Sequence, residues 1–258
     1  MRLNNQVAII TGAGRGIGRG IAEVFAAEGA KVVIATLKED EGQGALEAIH
    51  AKGGEAVVVQ TDVSSETSVK AMIAKTLQTY GQINTLVNNA GITLFKHLFD
   101  ATLEDWEKVI GVDLKGVFLC SKYAAREMQH SGGSIINISS NHAKAALPNA
   151  DIYAAAKAGV NGMTRAMAVS LGKYGIRVNA IMPGFTATPH YYKWLSSIEG
   201  NNLEEEINFL HATGQVTTPE DIGKLAMYLA SDDSKNMTGA ELALDGGMLA
   251  KLYNSRLV

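Results

Sequence analysis

The sequence predicts one α/β domain of the doubly wound kind: a parallel sheet of about seven strands with helices on both faces. Three observations carry this. Apolar runs of strand length alternate seven times with stretches of helical pattern, and such alternation joins parallel strands through crossover helices. The first strand runs into a glycine cluster that opens a helix. Every polar or glycine-rich motif then falls just after a strand, where parallel sheets hold their ligands.

The whole chain is consistent with this and narrows the function. It has 258 residues, 47% hydrophobic and 19% charged, enough for one large domain over 1–258. Net charge is −3, with no basic footprint for nucleic acid. A single cysteine, Cys120, rules out an intrachain disulfide and suits a reducing, cytoplasmic setting. No apolar run of spanning length and no leader pattern is apparent. Four prolines and no low-complexity tract leave no linker.

Gln6 to Thr11 reads as the first strand, followed by Gly12-Ala13-Gly14-Arg15-Gly16-Ile17-Gly18 and a helix ending at Gly29. Strand, glycine turn and helix make half of a nucleotide-binding unit: glycines admit a pyrophosphate and the helix start offers N–H groups. The common G-x-G-x-x-G spacing is not met, since Ile17 stands at its third glycine. Lys31 to Ala35 is the second strand. At its end an acid would take a ribose 2′-hydroxyl. Here stand Thr36, Leu37 and Lys38, and with Arg15 they suit a 2′-phosphate, so NADP(H) is favoured over NAD(H).

A helix over Asp40–Ala51 leads to a third strand, Ala56–Gln60. It ends at Asp62 and Val63, where Asp62 can either meet an adenine amino group or cap the helix expected over Ser65–Tyr80. Ile83–Val87 is a fourth strand, closed by Asn88-Asn89-Ala90-Gly91. Helical character runs from Leu103 to Met128, with a break expected over Gly111–Lys115. The fifth strand, Ser134–Ile138, runs into Ser139 and Ser140. After Pro148 an alanine-rich helix extends to Leu171, with Tyr153 and Lys157 one turn apart near its start. An ammonium and a helix N-terminus both favour a phenolate, so this pair can serve as an acid/base near neutral pH, with Ser140 holding a carbonyl oxygen. Taken alone, Tyr-x3-Lys is usually a surface pair; Ser140, thirteen residues before Tyr153, and the glycine turn change that reading.

Ile176–Ile181 is the sixth strand, ending in Met182-Pro183-Gly184. Residues 185–214 read as irregular, with a candidate substrate lid over 186–214; the alternative is a helical insert packed as core. A helix from Pro219 to Ala230 and a last strand, Leu242–Leu244, complete the chain.

Together these stretches resemble the short-chain dehydrogenase/reductase family, with its Rossmann-type fold, over about Leu3 to Met248. The motifs match in order: Thr11-Gly12-x3-Gly16-x-Gly18, Asn88-Asn89-Ala90-Gly91, Ser140, Tyr153-x3-Lys157, Pro183-Gly184 with Thr188, and Thr238-Gly239-x5-Asp245-Gly246-Gly247. The resemblance implies NAD(P)(H)-dependent interconversion of a ketone and a secondary alcohol. It implies Tyr153 as acid/base, Lys157 as its partner and ribose ligand, and Ser140 on the substrate oxygen. It further implies that Gly12, Arg15, Gly16, Ile17 and Gly18 line phosphates and ribose, and that Asp62 and Val63 meet the adenine. Asn89, Ala90 and Gly91 would lie along the cofactor. The segment from Pro183 and Gly184 through Thr186 to Thr188 would meet the nicotinamide. A homotetramer is implied, with a homodimer as the alternative.

One position departs from the pattern. Where the family usually has asparagine, this chain has Asp113, which can substitute through its backbone carbonyl or pair with Lys157. Within the family, similar patterns include 3-oxoacyl-carrier-protein reductases and sugar or polyol dehydrogenases, and Arg15 with Gly91-Ile92-Thr93 leans slightly to the former. His142 and Lys144 are candidates to line the substrate site; otherwise they are exposed loop residues. A serine hydrolase would need glycines flanking its serine, and a metal enzyme a ligand cluster that the six scattered histidines do not supply. A cofactor-binding protein without turnover is disfavoured by the intact Ser140, Tyr153 and Lys157.

Overall fold

The computed structural model describes residues 1–198 and 202–252. Its strands are β1 (Val7–Thr11), β2 (Lys31–Thr36), β3 (Glu55–Gln60), β4 (Thr85–Asn88), β5 (Gly133–Ile138), β6 (Ile176–Pro183) and β7 (Glu241–Leu244). They form one seven-stranded parallel sheet in the order β3-β2-β1-β4-β5-β6-β7. The chain winds outward from β1 to β3, then crosses to the other side of β1 for β4. That reversal opens a crevice at the carboxyl ends of β1 and β4, the place where such sheets bind ligands.

The helices are α1 (Gly16–Ala27), α2 (Glu39–Ala51), α3 (Glu66–Tyr80), α4 (Leu103–Ile110), α5 (Gly116–Glu127), α6 (Asp151–Leu171), α7 (Pro189–Leu195), α8 (Leu203–Leu210) and α9 (Pro219–Ala230). Alternating side chains of each strand feed two cores. Val32 and Ile34 join Ile21, Phe25, Ile49 and Ile222 from α1, α2 and α9. Val33 and Ala35 face the other way, onto Met72, Leu119, Cys120 and Ala168 from α3, α5 and α6. The inner strands β1, β2, β4, β5 and β6 are buried on both faces, which is why they read as unbroken apolar runs rather than alternating ones, while the edge strands β3 and β7 are partly exposed.

The structure refines the sequence reading at two places. The fourth strand begins at Thr85, not Ile83; Asn84 just before it holds Val7 twice, its N–H donating to the Val7 carbonyl at 2.9 Å and its Oδ1 accepting the Val7 N–H at 2.8 Å. Residues 185–214, irregular in composition, follow the helical alternative where they are described. They hold α7 and α8, with Thr188 capping α7 by accepting the Tyr191 N–H at 3.1 Å. Part of the expected lid, 199–201, lies outside the described residues. The break expected over Gly111–Lys115 is a π-helical turn joining α4 to α5, a widening often found at functional sites. Among the described residues no helix is long and apolar enough to cross a membrane.

Candidate active site

At the crevice the backbone turns through Gly12 and Gly16, both left-handed with φ of 65° and 56°. A Cβ on Gly12 would stand 2.9 Å from Ala90 Cα, so the ends of β1 and β4 nearly touch. Side chains lock them. Thr11 Oγ1 accepts the N–H groups of Asn89 and Ala90 at 3.0 Å each. Asn89 Nδ2 donates to the carbonyls of Thr11 and Gly12, at 2.9 and 3.2 Å. α1 starts without a side-chain cap and without an acid in its first turn. The N–H groups of Gly16, Ile17 and Gly18 thus carry no competing carboxylate, and this bare, glycine-lined helix start fits a dinucleotide pyrophosphate.

The far end of the cleft is less as expected. Thr36 is buried, and its methyl group faces α2, 3.2 Å from where a Cβ on Gly42 would stand. The exposed groups at the end of β2 are Leu37 and Lys38, with Arg15 exposed on the glycine turn. α2 opens with three acids, Glu39, Asp40 and Glu41. Asp62 Oδ1 accepts the N–H and hydroxyl of Ser64, at 2.9 and 2.7 Å. Ser65, not Asp62, caps α3. Val63 is buried, its side chain 2.9 Å from where a Cβ on Gly116 would stand.

The side chains expected to carry the chemistry meet where β5, the π-helical turn and α6 converge. Lys157 is buried, its Nζ donating to the Ile138 carbonyl at 3.2 Å and lying 3.2 Å from Asp113 Oδ2. Asp113 is fully buried, and its Oδ1 accepts the Ile92 N–H at 2.8 Å. The ammonium approaches Oδ2 off the hydrogen-bonding direction, so Oδ2 is an ion-pair partner without a hydrogen bond. Burial favours a neutral Lys157, but the Asp113 carboxylate, with Tyr153, outweighs it and holds the ammonium above the ordinary lysine range. The same Nζ lies 5.5 Å from the centre of the Tyr153 ring. A Cβ on Gly91 would stand 3.0 Å from Asp113 Oδ2 and 3.4 Å from Lys157 Nζ, so a side chain there would press on the pair.

The two serines separate cleanly. Ser139 Oγ donates to the Lys157 carbonyl at 3.1 Å and ties β5 to α6. Ser140 Oγ accepts the His142 N–H at 3.1 Å and caps a short 3₁₀ turn, Asn141–Ala143. That turn sets the His142 ring edge-on to Tyr153, 5.5 Å between centres, and to Phe95 at 5.7 Å. Lys144 turns away and pairs with Glu241 Oε2 at 2.6 Å; Arg165 pairs with the other oxygen of Glu241. Lys144 is therefore an exposed loop residue that straps the turn after Ser140 to Glu241.

At the end of β6 Pro183 is buried; beyond it Gly184 passes close to Asp245, and Thr186 Oγ1 donates to the Gly184 carbonyl at 3.2 Å. Thr188 comes back over the glycine turn, its methyl 3.4 Å from where a Cβ on Gly16 would stand. The segment thus bridges the crevice. Behind it Phe185 stacks on Trp194 at 5.7 Å and meets Tyr191 and His211, each at 6.2 Å. These aromatics pack mainly on one another.

Sequence reasoning missed Phe95, whose only signal is an aromatic in the loop after Gly91. It also missed the Ile138 carbonyl, a backbone acceptor that no sequence pattern marks. Among the described residues no cluster of His, Cys, Asp and Glu is arranged to hold a metal.

Comparison with known proteins agrees with this geometry. Residues 12–249 match the family described as enoyl-(acyl carrier protein) reductase. A trans-4-hydroxycyclohexanecarboxylate dehydrogenase of Sinomonas cyclohexanicum is 40% identical over 255 residues, covering 96% of this chain and 95% of the relative. A 3-oxoacyl-acyl-carrier-protein reductase of Chlamydia muridarum is 40% identical over 248 residues, covering 95% and 98%. A short-chain type dehydrogenase/reductase from Mycobacterium marinum superposes with a TM-score of 0.90 at 34% identity, covering 96% and 97%. Two catalytic names at equal identity agree on redox chemistry and differ in substrate. The chain belongs to the short-chain dehydrogenase/reductase family and is an oxidoreductase.

Proposed function

We propose that the protein reduces a ketone to a secondary alcohol with NADPH, and runs the reverse reaction when supplied with alcohol. The observation that carries this is the buried Lys157 ammonium, held by Asp113 and Ile138 beside the Tyr153 ring. The substrate oxygen would sit between Ser140 and Tyr153. Ser140 exchanges its weak local contact with Asn141 for that oxygen and orients the carbonyl. Tyr153 holds the proton at Oη and delivers it to the oxygen as negative charge builds there. Lys157 keeps positive charge next to the phenol as it loses the proton, and also serves the nicotinamide ribose. The reduced nicotinamide, when bound, supplies the hydride. Gly12, Gly16, Ile17 and Gly18 hold the pyrophosphate; Asn89, Ala90 and Gly91 flank the cofactor, and Pro183, Gly184, Thr186 and Thr188 close over it.

The preference for NADPH is supported by Arg15 and Lys38, both exposed and neither in an ion pair among the described residues. A 2′-phosphate would meet two cations there. The second reading is NAD-dependent oxidation of a sugar or polyol, favoured by the three acids opening α2, which suit ribose hydroxyls better than phosphate. Paired fluorescence titrations of NADPH and NADH separate the two. Tighter NADPH, lost in Arg15→Ala/Lys38→Ala, supports the first; tighter NADH favours the second. Tyr153→Phe is expected to lose about 10²–10⁴ in kcat with cofactor binding intact. Retained turnover would remove Tyr153 from the mechanism.

A homotetramer also belongs to this reading. Trp106, Phe118 and Val169, on α4, α5 and α6, are exposed apolar side chains beside small outward residues of α6 such as Ala155, Ala158 and Ala166. These are suited to helix packing between copies. A monomeric mass by light scattering would remove it. The buried thiol of Cys120 is compatible with the cytoplasm.

A further inference from the structure

His142 is the polar side chain next to Tyr153 that the proposed chemistry leaves unused. Its main chain is pinned by Ser140 Oγ, and its ring stands edge-on to both Phe95 and Tyr153. Nδ1 is shut off from solvent with no hydrogen-bond partner. Nε2 is the ring nitrogen left open, and it makes no hydrogen bond among the described residues. A proton on Nδ1 would bury an unpartnered N–H, so the proton belongs on Nε2, which becomes a donor facing outward. Burial also lowers the tendency of the ring to charge. The lysines around this turn are engaged: Lys144 with Glu241, Lys96 with Asp105, and Lys157 with Asp113. The ring itself is therefore flanked by aromatics, with the nearby lysines already paired and one neutral donor on offer.

We propose that His142 determines specificity, its Nε2–H donating to a second, uncharged oxygen of the substrate one or two carbons from the reacting carbonyl. This deepens the ketone reading above and rests on it. The two sources of such an oxygen are a 2-hydroxy ketone and a 3-oxo ester. Phe95 covers the apolar remainder, and a carboxylate at this place would be desolvated without a cation.

The test is a set of kcat/KM ratios with NADPH, or with NADH if it binds more tightly. The first is 3-hydroxy-2-butanone over 2-butanone; the second is ethyl 3-oxobutanoate over 2-pentanone. His142→Phe keeps an aromatic ring against Phe95 and Tyr153 and removes the donor. It is expected to lower at least one ratio about tenfold, the worth of one hydrogen bond, mainly through KM. The ratio that falls identifies the source. His142→Gln, which restores an N–H donor, should return it toward the wild-type value, and it keeps the question open to refutation if the Phe variant does not fold. Both ratios unchanged in a variant that still binds cofactor would overturn the assignment. No turnover of any of the four ketones by the wild type would overturn the ketone reading itself, and this assignment with it.

Discussion

Asp113→Asn tests the centre of the site. In the wild type both charges of the pair are buried, and each is satisfied chiefly by the other and by one main-chain group. Removing one partner of a buried ion pair costs about 3–5 kcal/mol, because the remaining charge has lost its counter-charge. Asparagine is isosteric and can still accept the Ile92 N–H, but its amide NH₂ then faces the Lys157 ammonium. The lower end, about 3 kcal/mol, is expected, a fall in Tm of roughly 6–12 °C for a chain of this size. The sign for Lys157 also reverses. With Asp113 present its pKa is raised, so its contribution to stability is complete below the free-lysine value and is lost only as pH climbs through the higher folded value. Without the carboxylate, burial dominates, and the ammonium gives up its proton at lower pH. Activity near pH 7 should stay comparable, since Tyr153 and the ammonium remain, while the alkaline limb of the pH–rate profile moves toward neutrality. Thermal unfolding without cofactor and kcat from pH 6 to 10 measure both effects. An unchanged Tm with an unchanged alkaline limb would refute the ion-pair reasoning. Loss of most of kcat at pH 7 with cofactor binding intact would instead make the carboxylate a participant in proton transfer.

Three further outcomes are expected. Gly91→Ala pushes a methyl group to 3.0 Å from Asp113 Oδ2 and should lower kcat about tenfold while leaving the fold intact by circular dichroism; wild-type kcat would show that the pair yields freely. Asn137→Ala removes the link between Asn88 on β4 and Thr164 on α6, buried bonds of 2.8 and 2.9 Å, and should cost about 2–3 kcal/mol in urea unfolding; a change below about 0.5 kcal/mol would mean the network contributes nothing. Burial lowers the pKa of His142, so its stability contribution is present above the ordinary histidine value and is lost as pH falls through the folded one. His142→Gln should therefore lose less Tm than wild type between pH 7.5 and 5.5, and equal losses would contradict it.

The sheet was legible because its inner strands are buried on both faces and many of its breaks are glycine-rich, both local signals. The chemistry-bearing residues at the strand ends were legible for the same reason, since each follows an apolar run. The π-helical turn announced itself as an interruption at Gly111–Lys115, although its type did not. Over 185–214 the composition left a lid and a helical insert both open: α7 has only seven residues, too short for a helical period to stand out, and is set by Thr188 and Pro189 at its start.

What the sequence determined by itself is what depends on neighbours along the chain: the alternation of elements, the glycine turn, and the spacing of Tyr153 and Lys157 on one helix face. What only the tertiary structure decided is which distant groups face each other. Whether the Asp113 carboxylate pairs with Lys157, whether Lys144 pairs with Glu241, and which way Thr36 and His142 turn all rest on contacts between elements far apart in the chain. Burial then sets their charge. A carboxylate or an imidazole has no fixed protonation until the packing around it is known, and that packing is not written in any one stretch of sequence.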